Sequence, residues 1–262
     1  MNKSVWGVMA GGAILAAFGA TAIPALAQTA EVKEKPRLYT YEASWTFPRA
    51  RWGEVDKDNA TSTQKALAPA LSDGTLVGYG DDDVEVHTAD GPTHDNWWQS
   101  YSMAGLMKVL EALGKGPSPT GSALILSSTK HWDQILVSRF YNWKPGSWKG
   151  AYGYSSIYKL KADAPNDAVE LLSKRAFVPL LEKLLSDGTI VEYEIDEETV
   201  HTESPDRFFI YYLTPTADGL DKVNAAVRGA VREDPLLGPA FGSMVDFSAH
   251  RDMLTRGNAT YK

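Results

Sequence analysis

The stretch LSDGTLVGY at residues 71–79 returns as LSDGTIVEY at residues 185–193. A constant offset between two matching segments is the mark of a duplicated structural unit. The same offset, or one a few residues different, joins further positions of the two copies: Tyr39 and Tyr152, Tyr41 and Tyr154, Trp45 and Tyr158, His87 and His201, Trp97-Trp98 and Tyr211-Tyr212, His131-x-Asp133 and His250-x-Asp252. The chain therefore contains one unit twice.

Each copy has the pattern of alternating strands and helices. In the first copy, alternation and aromatic content predict a strand over 38–47, and helical spacing follows over 52–71. Ser-Asp-Gly then predicts a helix C-terminal turn in which glycine takes positive φ. The first copy continues with strands over 75–88 and 94–102, a helix from near Ala104 and a closing strand after His131-x-Asp133. The second copy has a helix from Asp167 to Leu185, strands over 189–202 and 207–214, a helix from near Thr216 and a closing strand after His250-x-Asp252.

The order βαββαβ is the ferredoxin-like pattern, and the sequence gives it twice. One such unit leaves a sheet face bare, and a second unit can cover it. The predicted fold class is α+β, with tandem ferredoxin-like repeats that form a pseudo-dimeric α/β barrel. The predicted domains are repeat 1 over 37–142, a Pro- and Gly-containing linker over 143–150 and repeat 2 over 151–262.

With this element order, Asp-Gly-Thr turn and repeat, the sequence resembles the dimeric α/β-barrel superfamily, with both barrel halves fused in one chain. No functional motif of a specific family is matched. The resemblance implies an interior or rim that binds small molecules. Members of the superfamily include cofactor-independent monooxygenases, isomerases and haem-binding enzymes, so it does not assign a reaction.

The first 27 residues have the features of a secretory signal peptide. A short basic start, an apolar run over 5–22 and the small-x-small site before Gln28 predict cleavage after Ala27. A retained membrane anchor is the alternative, because the run approaches the length of a spanning helix. We expect a periplasmic or secreted protein without stable membrane insertion after cleavage, and a mobile leader over 28–36.

The composition limits the classes of partner. The formal net charge is −7 and there is no basic cluster, which argues against nucleic acid as a partner. There are no cysteines, so the fold depends on its core rather than on disulfides. The sequence identifies no cofactor and no protein partner.

Four of the five histidines form pairs related by the repeat. If the second strand of each copy lies beside the last strand of the other, His87 could approach His250 and Asp252, and His201 could approach His131 and Asp133. Such sets suit Zn²⁺ or Fe²⁺, or a general base with an orienting carboxylate. The alternative is that these histidines are structural and were duplicated with the unit.

The first strand predicts a polar barrel interior. Its apolar row, which includes Tyr41 and Trp45, suits the helices, and Glu42 would then point into the barrel. A cavity with Glu42 and Lys159 is one possibility; the reverse orientation or a filled interior is the other. Aromatic side chains could line a ligand site or form core: Tyr41, Trp45, Trp97, Trp98, Tyr154, Tyr158 and Tyr211.

The acidic runs Asp81-Asp82-Asp83 and Asp196-Glu197-Glu198 lack EF-hand spacing, so we expect solvated bends rather than calcium sites. The copies also differ, because Gly78 and Gly80 stand where the second copy has Glu192 and Glu194. We therefore expect that one of the two equivalent positions carries any working site.

The leading functional hypothesis is an exported barrel that binds a small organic molecule in its interior or at its rim. One alternative is a non-catalytic envelope or interaction scaffold. The other is an oxygenase-like enzyme, either dependent on metal or haem or free of cofactors.

Overall fold

A computed structural model describes residues 35–115, 124–200 and 205–262. The predicted signal peptide and His201 lie outside these residues. In the part of the chain that is described, no helix has the length and apolarity needed to cross a membrane.

Four strands and three α-helices of the first half, Leu38–Trp143, lie within the described residues. The strands are β1 (Leu38–Thr46), β2 (Gly78–Val84), β3 (His94–Ser100) and β4 (Lys130–Trp143). The helices are α1 (Trp52–Asp58), α2 (Gln64–Ser72) and α3 (Met103–Lys115). A π-helical segment, Asn59–Thr63, joins α1 to α2.

The second half, Tyr152–Tyr261, follows the same order of strands and helices. Its strands are β5 (Tyr152–Lys159), β6 (Glu192–Val200), β7 (Arg207–Thr214) and β8 (Arg251–Tyr261). Its helices are α4 (Ala168–Leu172), α5 (Val178–Asp187), α6 (Ala217–Glu233) and α7 (Leu237–Met244). A second π-helical segment, Ser173–Phe177, joins α4 to α5.

The eight strands close into one antiparallel barrel in the order β1-β3-β2-β8-β5-β7-β6-β4. The first strand of each half pairs with the third strand of that half in the same way. Tyr39 on β1 faces Ser100 on β3, and Tyr152 on β5 faces Thr214 on β7. The halves meet where β2 pairs with β8 and where β4 pairs with β6. Each half thus supplies the edge strands that the other half needs, as the repeat predicted.

Side chains alternate along each strand, so one set packs against the helices and the other faces the barrel interior. Tyr41 and Ala43 on β1 pack outward against Leu67 and Leu106 of the helices. Thr40 and Glu42 point inward and line the barrel interior. The orientation predicted for the first strand is therefore the observed one.

The two Asp-Gly-Thr turns have the expected geometry. Gly74 and Gly188 have φ of 76° and 83°, values that favour glycine. The carboxylates of Asp73 and Asp187 accept hydrogen bonds from the backbone N–H two residues later, at 2.8 and 2.9 Å. A turn of this type ends each first helix and starts the chain toward β2 or β6.

Three local predictions are wrong. The run Asp81-Asp82-Asp83 is not a solvated bend but part of β2, where Asp81 is 1% exposed and Asp82 7%. In the second acidic run, Asp196 is 3% exposed within β6. The strand β4 also begins before His131-x-Asp133, because Trp45 of β1 pairs with His131 and extends the ladder.

Residues 35 and 36 and the predicted linker lie against the barrel. The backbone N–H of Lys35 donates to Arg139, and the Tyr141 hydroxyl donates to the carbonyl of Pro36 at 2.7 Å. In the linker, the Trp148 backbone N–H donates to the carbonyl of Thr260 at 2.9 Å. The link between the halves is therefore packed onto β8.

Candidate functional site

The predicted site residues divide between the outer and inner faces of the sheet. Trp98 lies on the helix side and stacks on Tyr41, whereas Trp97 and Tyr211 line the barrel interior. Adjacent residues on a strand point to opposite faces, so the predicted aromatic set could not form a single site. The outer face of the first half holds the larger group of predicted residues.

A pocket of about 480 Å³ lies between the sheet and the helices of the first half. Its volume falls within the range of ligand sites, which are mostly apolar with a few placed polar groups. The residues from the sheet that line it include five that the sequence singled out: Tyr41, Trp45, Trp98, His131 and Asp133. On the helix side, Val55, Leu110 and Leu113 contribute apolar surface.

Two ring stacks form the sheet wall of this pocket. Tyr41 and Trp98 stack with centroids 4.3 Å apart, and Trp45 and His131 stack at 3.6 Å. Ala43 lies on β1 between Tyr41 and Trp45, and its small side chain leaves space above the strand. The result is a recess with flat aromatic walls, which suits a planar molecule.

One carboxylate connects the polar groups of the pocket. The Nε2 atom of His131 lies 3.1 Å from Oδ1 of Asp133. The Tyr41 hydroxyl also donates to Asp133; burial, followed by the charge of Asp133 and this hydrogen bond, raises the pKa of Tyr41. A carboxylate only accepts hydrogen bonds, so donation from His131 to Asp133 would require the proton on Nε2 and would leave the lone pair on Nδ1. This arrangement is that of a general base with an orienting carboxylate.

The second half reproduces the same contacts. Tyr158 stacks on His250 at 4.4 Å, and Tyr154 stacks on Tyr212 at 5.3 Å. Nε2 of His250 lies 3.1 Å from Oδ1 of Asp252. Burial, followed by the charge and hydrogen bond of Asp252, raises the pKa of Tyr154 to about 12. The Tyr-Asp-His network therefore occurs in both halves.

The surroundings of the two networks differ. In the second half, α7 places Phe241 edge-on against Tyr158 at 5.1 Å and against Phe177 at 5.7 Å. The Ser156 hydroxyl donates to Asp252 at 2.9 Å, where the first half has Ala43. A ring thus packs beside the His250 network, whereas the described residues leave the pocket beside the His131 network.

The barrel interior is a narrow cavity of about 80 Å³ lined with acidic side chains. Liquid water takes about 30 Å³ per molecule, so this volume suits a few waters rather than an organic ligand. Glu42 accepts a hydrogen bond from Gln134 at 2.6 Å. The other carboxyl groups that line the cavity are Asp82, Asp95, Glu192, Glu194 and Asp196.

Lys262 is a buried cation in contact with this interior. Its Nζ atom lies 2.5 Å from Glu192 and 3.0 Å from Glu194. A Cβ atom on Gly78 would come within 2.6 Å of the Lys262 side chain, so glycine at this position makes room for the lysine. The two halves therefore differ for a structural reason: Gly78 on β2 leaves space for Lys262, and Glu192 and Glu194 on β6 pair with its charge. Lys159, which the sequence suggested here, is not among the residues that line the cavity.

Burial changes the ionisation of the interior carboxyls. It raises the pKa of Asp82 to about 8, with a further contribution from Asp81. Burial likewise raises the pKa values of Asp95, Asp196 and Glu42. The direction of these shifts is that expected when burial penalises unpaired charges.

Of the two histidine sets expected from the sequence, the one with His87 is not assembled, and the one with His201 includes a residue outside the described part of the chain. The ring of His87 stacks on Trp52 at 4.9 Å, and the ligand atoms of His87, His250 and Asp252 do not form a group within 4.8 Å. Among the described residues, the three that do form such a group are Asp56, Asp83 and His94. Sequence reasoning missed this group because it combines a helix with two strands and has no counterpart in the second copy.

A pocket of about 850 Å³ lies at one mouth of the barrel. Glu42 and Gln134 line both this pocket and the interior cavity, so the two are adjacent. Lys130, Arg207 and Arg251 add positive charge to a lining that is otherwise largely apolar. It lacks the stacked aromatic walls of the pocket in the first half.

No protein-family model and no curated protein matches the chain. Solved structures do match. A provisionally named monooxygenase from Lactobacillus acidophilus NCFM has a TM-score of 0.61 at 8% identity, with 87% of this chain and 97% of that chain covered. The chain has the dimeric α/β-barrel fold.

Two further structures agree. An anthrone oxidase-like protein has a TM-score of 0.51 at 11% identity and covers 86% of this chain and 93% of its own. A mutant chlorite dismutase from Candidatus Nitrospira defluvii has a TM-score of 0.50 at 13% identity and covers 84% of this chain and 90% of its own. At these identities the similarity establishes the architecture and not the activity.

Proposed function

We propose that the chain binds a small planar organic molecule in the pocket of the first half and removes a proton from it with His131. The observation that carries this proposal is the joint position of Trp45, Trp98 and His131 around one recess of about 480 Å³. A planar ring system can stack on these walls, and a phenol or an acidic C–H can face the imidazole.

The residues have separate roles in this proposal. Asp133 accepts the Nε2 proton of His131 and so leaves Nδ1 as the base. When Nδ1 takes the substrate proton, the positive imidazolium lies beside the negative Asp133. Tyr41 holds Asp133 in place through its hydroxyl. The ligand is left as an anion between aromatic walls.

Deprotonation of this kind suits an oxygenase-like enzyme that works without a cofactor. The fold neighbours named as a monooxygenase and an anthrone oxidase-like protein are consistent with it. Haem with His131 as the axial ligand fits less well, because Nε2 lies 3.1 Å from Asp133 and an iron would have to use Nδ1, the proposed base.

The scaffold alternative applies to the barrel interior, which is nearly filled. A pure scaffold would have no need for a recess with aromatic walls on its outer face, so the pocket favours ligand binding.

The proposal is tested with 2-naphthol as the probe, because the neutral and anionic forms differ in absorption. We expect the wild-type protein to bind it with quenching of tryptophan fluorescence and to stabilise the naphtholate form. His131→Ala should lose the naphtholate signal, since the base is gone. It should also bind 2-naphthol at least about tenfold more weakly, because one hydrogen bond to a charged group is lost.

His250→Ala is the matched control, because it removes the equivalent ring of the second half and should leave binding and ionisation unchanged. Equal losses in both variants, or no binding of 2-naphthol and larger tricyclic phenols by the wild-type protein, would contradict the proposal.

We also propose that the protein is exported and that its two halves are tandem ferredoxin-like repeats. The apolar run and the cleavage site before Gln28 support export. The identical element order and the duplicated Tyr-Asp-His contacts support the repeat. N-terminal sequencing of protein recovered from a secretion-competent host should begin at Gln28; a start at Met1 in the extracytoplasmic fraction would contradict cleavage.

A further inference from the structure

Three side chains from three elements converge beside α1, outside the pocket of the first half. Asp56 lies on α1, Asp83 on β2 and His94 at the start of β3. One ligand atom from each lies within 4.8 Å of the other two. This site has no part in the function proposed above.

The distances between these atoms are those of metal ligands rather than of hydrogen bonds. Nε2 of His94 lies 3.5 Å from Oδ1 of Asp56 and 3.5 Å from Oδ1 of Asp83. Hydrogen bonds between nitrogen and oxygen are usually about 2.7–3.2 Å long. Two ligands of a tetrahedral zinc ion, each bound at about 2.1 Å, lie about 3.4 Å apart. The imidazole is therefore spaced from both carboxylates as a shared ion would require.

The histidine is buried and oriented. His94 is 1% exposed, and its Nδ1 atom lies 2.8 Å from the hydroxyl of Thr93. That contact directs Nε2 toward the two carboxylates. Metal-binding histidines usually have such a partner on the second ring nitrogen, because it fixes the tautomer and the ring orientation.

The carboxylates also have the features of ligands. Oδ1 of Asp56 is buried and accepts no hydrogen bond, although a buried polar atom normally has a partner. Oδ1 of Asp83 accepts a hydrogen bond from the side chain of Asn258 at 2.8 Å, which fixes its position. An orphan carboxylate oxygen and a buried imidazole nitrogen therefore face the same point.

The electrostatics are consistent with a bound cation. Burial, followed by the charge of Asp56, raises the pKa of Asp83 to about 6. Burial, followed by the charge of His87, lowers the pKa of His94 to about 4, so the ring is neutral at pH 7 and can donate a lone pair. A divalent ion would relieve the repulsion between the carboxylates.

We propose that Asp56, Asp83 and His94 bind a divalent transition-metal ion of the zinc class. One imidazole and two carboxylates are a borderline ligand set that suits Zn²⁺, Fe²⁺ or Mn²⁺ better than Ca²⁺. The ion would join α1 to β2 and β3 and so fasten the first helix to the sheet.

The test is Zn²⁺ binding to tag-free protein, measured by competition with a chromophoric chelator and by thermal unfolding with Zn²⁺ or with EDTA. We expect one ion per chain and a higher melting temperature with zinc. Asp56→Asn and His94→Gln should each weaken binding at least about tenfold and abolish the zinc-dependent shift. Asp56 is half-exposed, so Asp56→Asn provides a folded variant even if the His94 variant does not fold.

Glu54→Gln is the matched control on the same helix, since Glu54 pairs with Arg51 at the surface. It should bind zinc like the wild type, as should His131→Ala. Zinc binding that survives in Asp56→Asn, or that is lost in His131→Ala or His87→Ala instead, would overturn the proposal. No 2-naphthol is present, so the outcome is independent of the proposed function.

Discussion

Lys262 shows how a single side chain can determine the state of the barrel interior. It is the cation beside Glu192 and Glu194, and its side chain is fully buried. Removing one partner of a buried ion pair leaves the other charge without compensation, which costs about 3–5 kcal/mol. The interior is therefore sensitive to this position.

We predict that Lys262→Met lowers the free energy of unfolding by about 3 kcal/mol. Adding Glu192→Gln and Glu194→Gln should recover most of the loss, because no buried carboxylate is then left without its cation. Urea unfolding of the three proteins measures both effects. A lysine variant as stable as the wild type would show that the pair does not stabilise the fold.

Asp82 makes stability depend on pH. Its pKa in the folded protein is about 8 because of burial, whereas an unfolded aspartic acid titrates near 3.9. Between these values the folded state holds a proton that the unfolded state has released, so stability falls as pH rises. His94, whose pKa is lowered, acts in the opposite direction only below about 6.5.

The predicted measurement is unfolding free energy at pH 6.5 and at pH 8. The wild type should lose about 1.5 kcal/mol more than Asp82→Asn over this interval, following about 1.4 kcal/mol per proton and pH unit. Asp187→Asn, at an exposed turn, is the control and should follow the wild type. Parallel pH profiles for wild type and Asp82→Asn would contradict the assignment.

The sequence predicts the position of a side chain when its neighbours follow from strand pairing. Tyr41, Trp45 and His131 could be placed on one face because alternation and the repeat fix their register. Asp56 and Lys262 could not be placed, because their partners depend on how a helix and the end of β8 pack in three dimensions. His94 was also missed, since it is the one histidine without a partner in the other copy.

The helices that cover the sheet explain why the two halves differ. Each half has a first helix interrupted by five π-helical residues at equivalent positions, Asn59–Thr63 and Ser173–Phe177. A proline within a helix can also interrupt it, because it removes a backbone hydrogen-bond donor. Pro69 lies inside α2, but Pro179 lies in the first turn of α5, where it is tolerated. The duplicated interruption is thus the π segment.

The helix α7 is the element that packs beside the second network. Phe241→Ala should lower stability by about 2–3 kcal/mol through loss of a partly buried ring. It should also open a recess beside Tyr158, so 2-naphthol binding should rise from one to two molecules per chain, measured by isothermal titration calorimetry. Leu236→Ala, at an exposed site before α7, should change neither; a stoichiometry of one in Phe241→Ala would contradict this account.

In sequence, the segment over 234–239 is more apolar than the polar stretch over 114–122 of the first half. The sequence could not show that this difference becomes a helix packed on the Tyr158 ring. That outcome depends on the exit direction of α6, which no local pattern encodes.

At the scale of the whole molecule, barrel closure makes the halves interdependent. The strand pairs β2–β8 and β4–β6 join them, and side chains of both line the interior. We predict a single cooperative unfolding transition. Outside the predicted signal peptide all tryptophans lie between Trp45 and Trp148, so tryptophan fluorescence reports mainly on the first half and far-UV circular dichroism on both.

The two signals should therefore give the same midpoint in denaturant. A fluorescence transition separated from the dichroism transition would mean that the halves unfold independently. The architecture itself was predictable from the repeat, because a bare sheet face in one unit requires a second unit to cover it. The place of the pocket was not predictable, since the interior and the outer face both offered aromatic and acidic side chains.

The most direct test of the central claim is a crystal structure of the protein soaked with 2-naphthol. The account predicts electron density for one flat molecule between Trp45 and Trp98, with its oxygen toward His131 and no density beside Tyr158. Density in the barrel interior, at the barrel mouth or equally in both halves would contradict it.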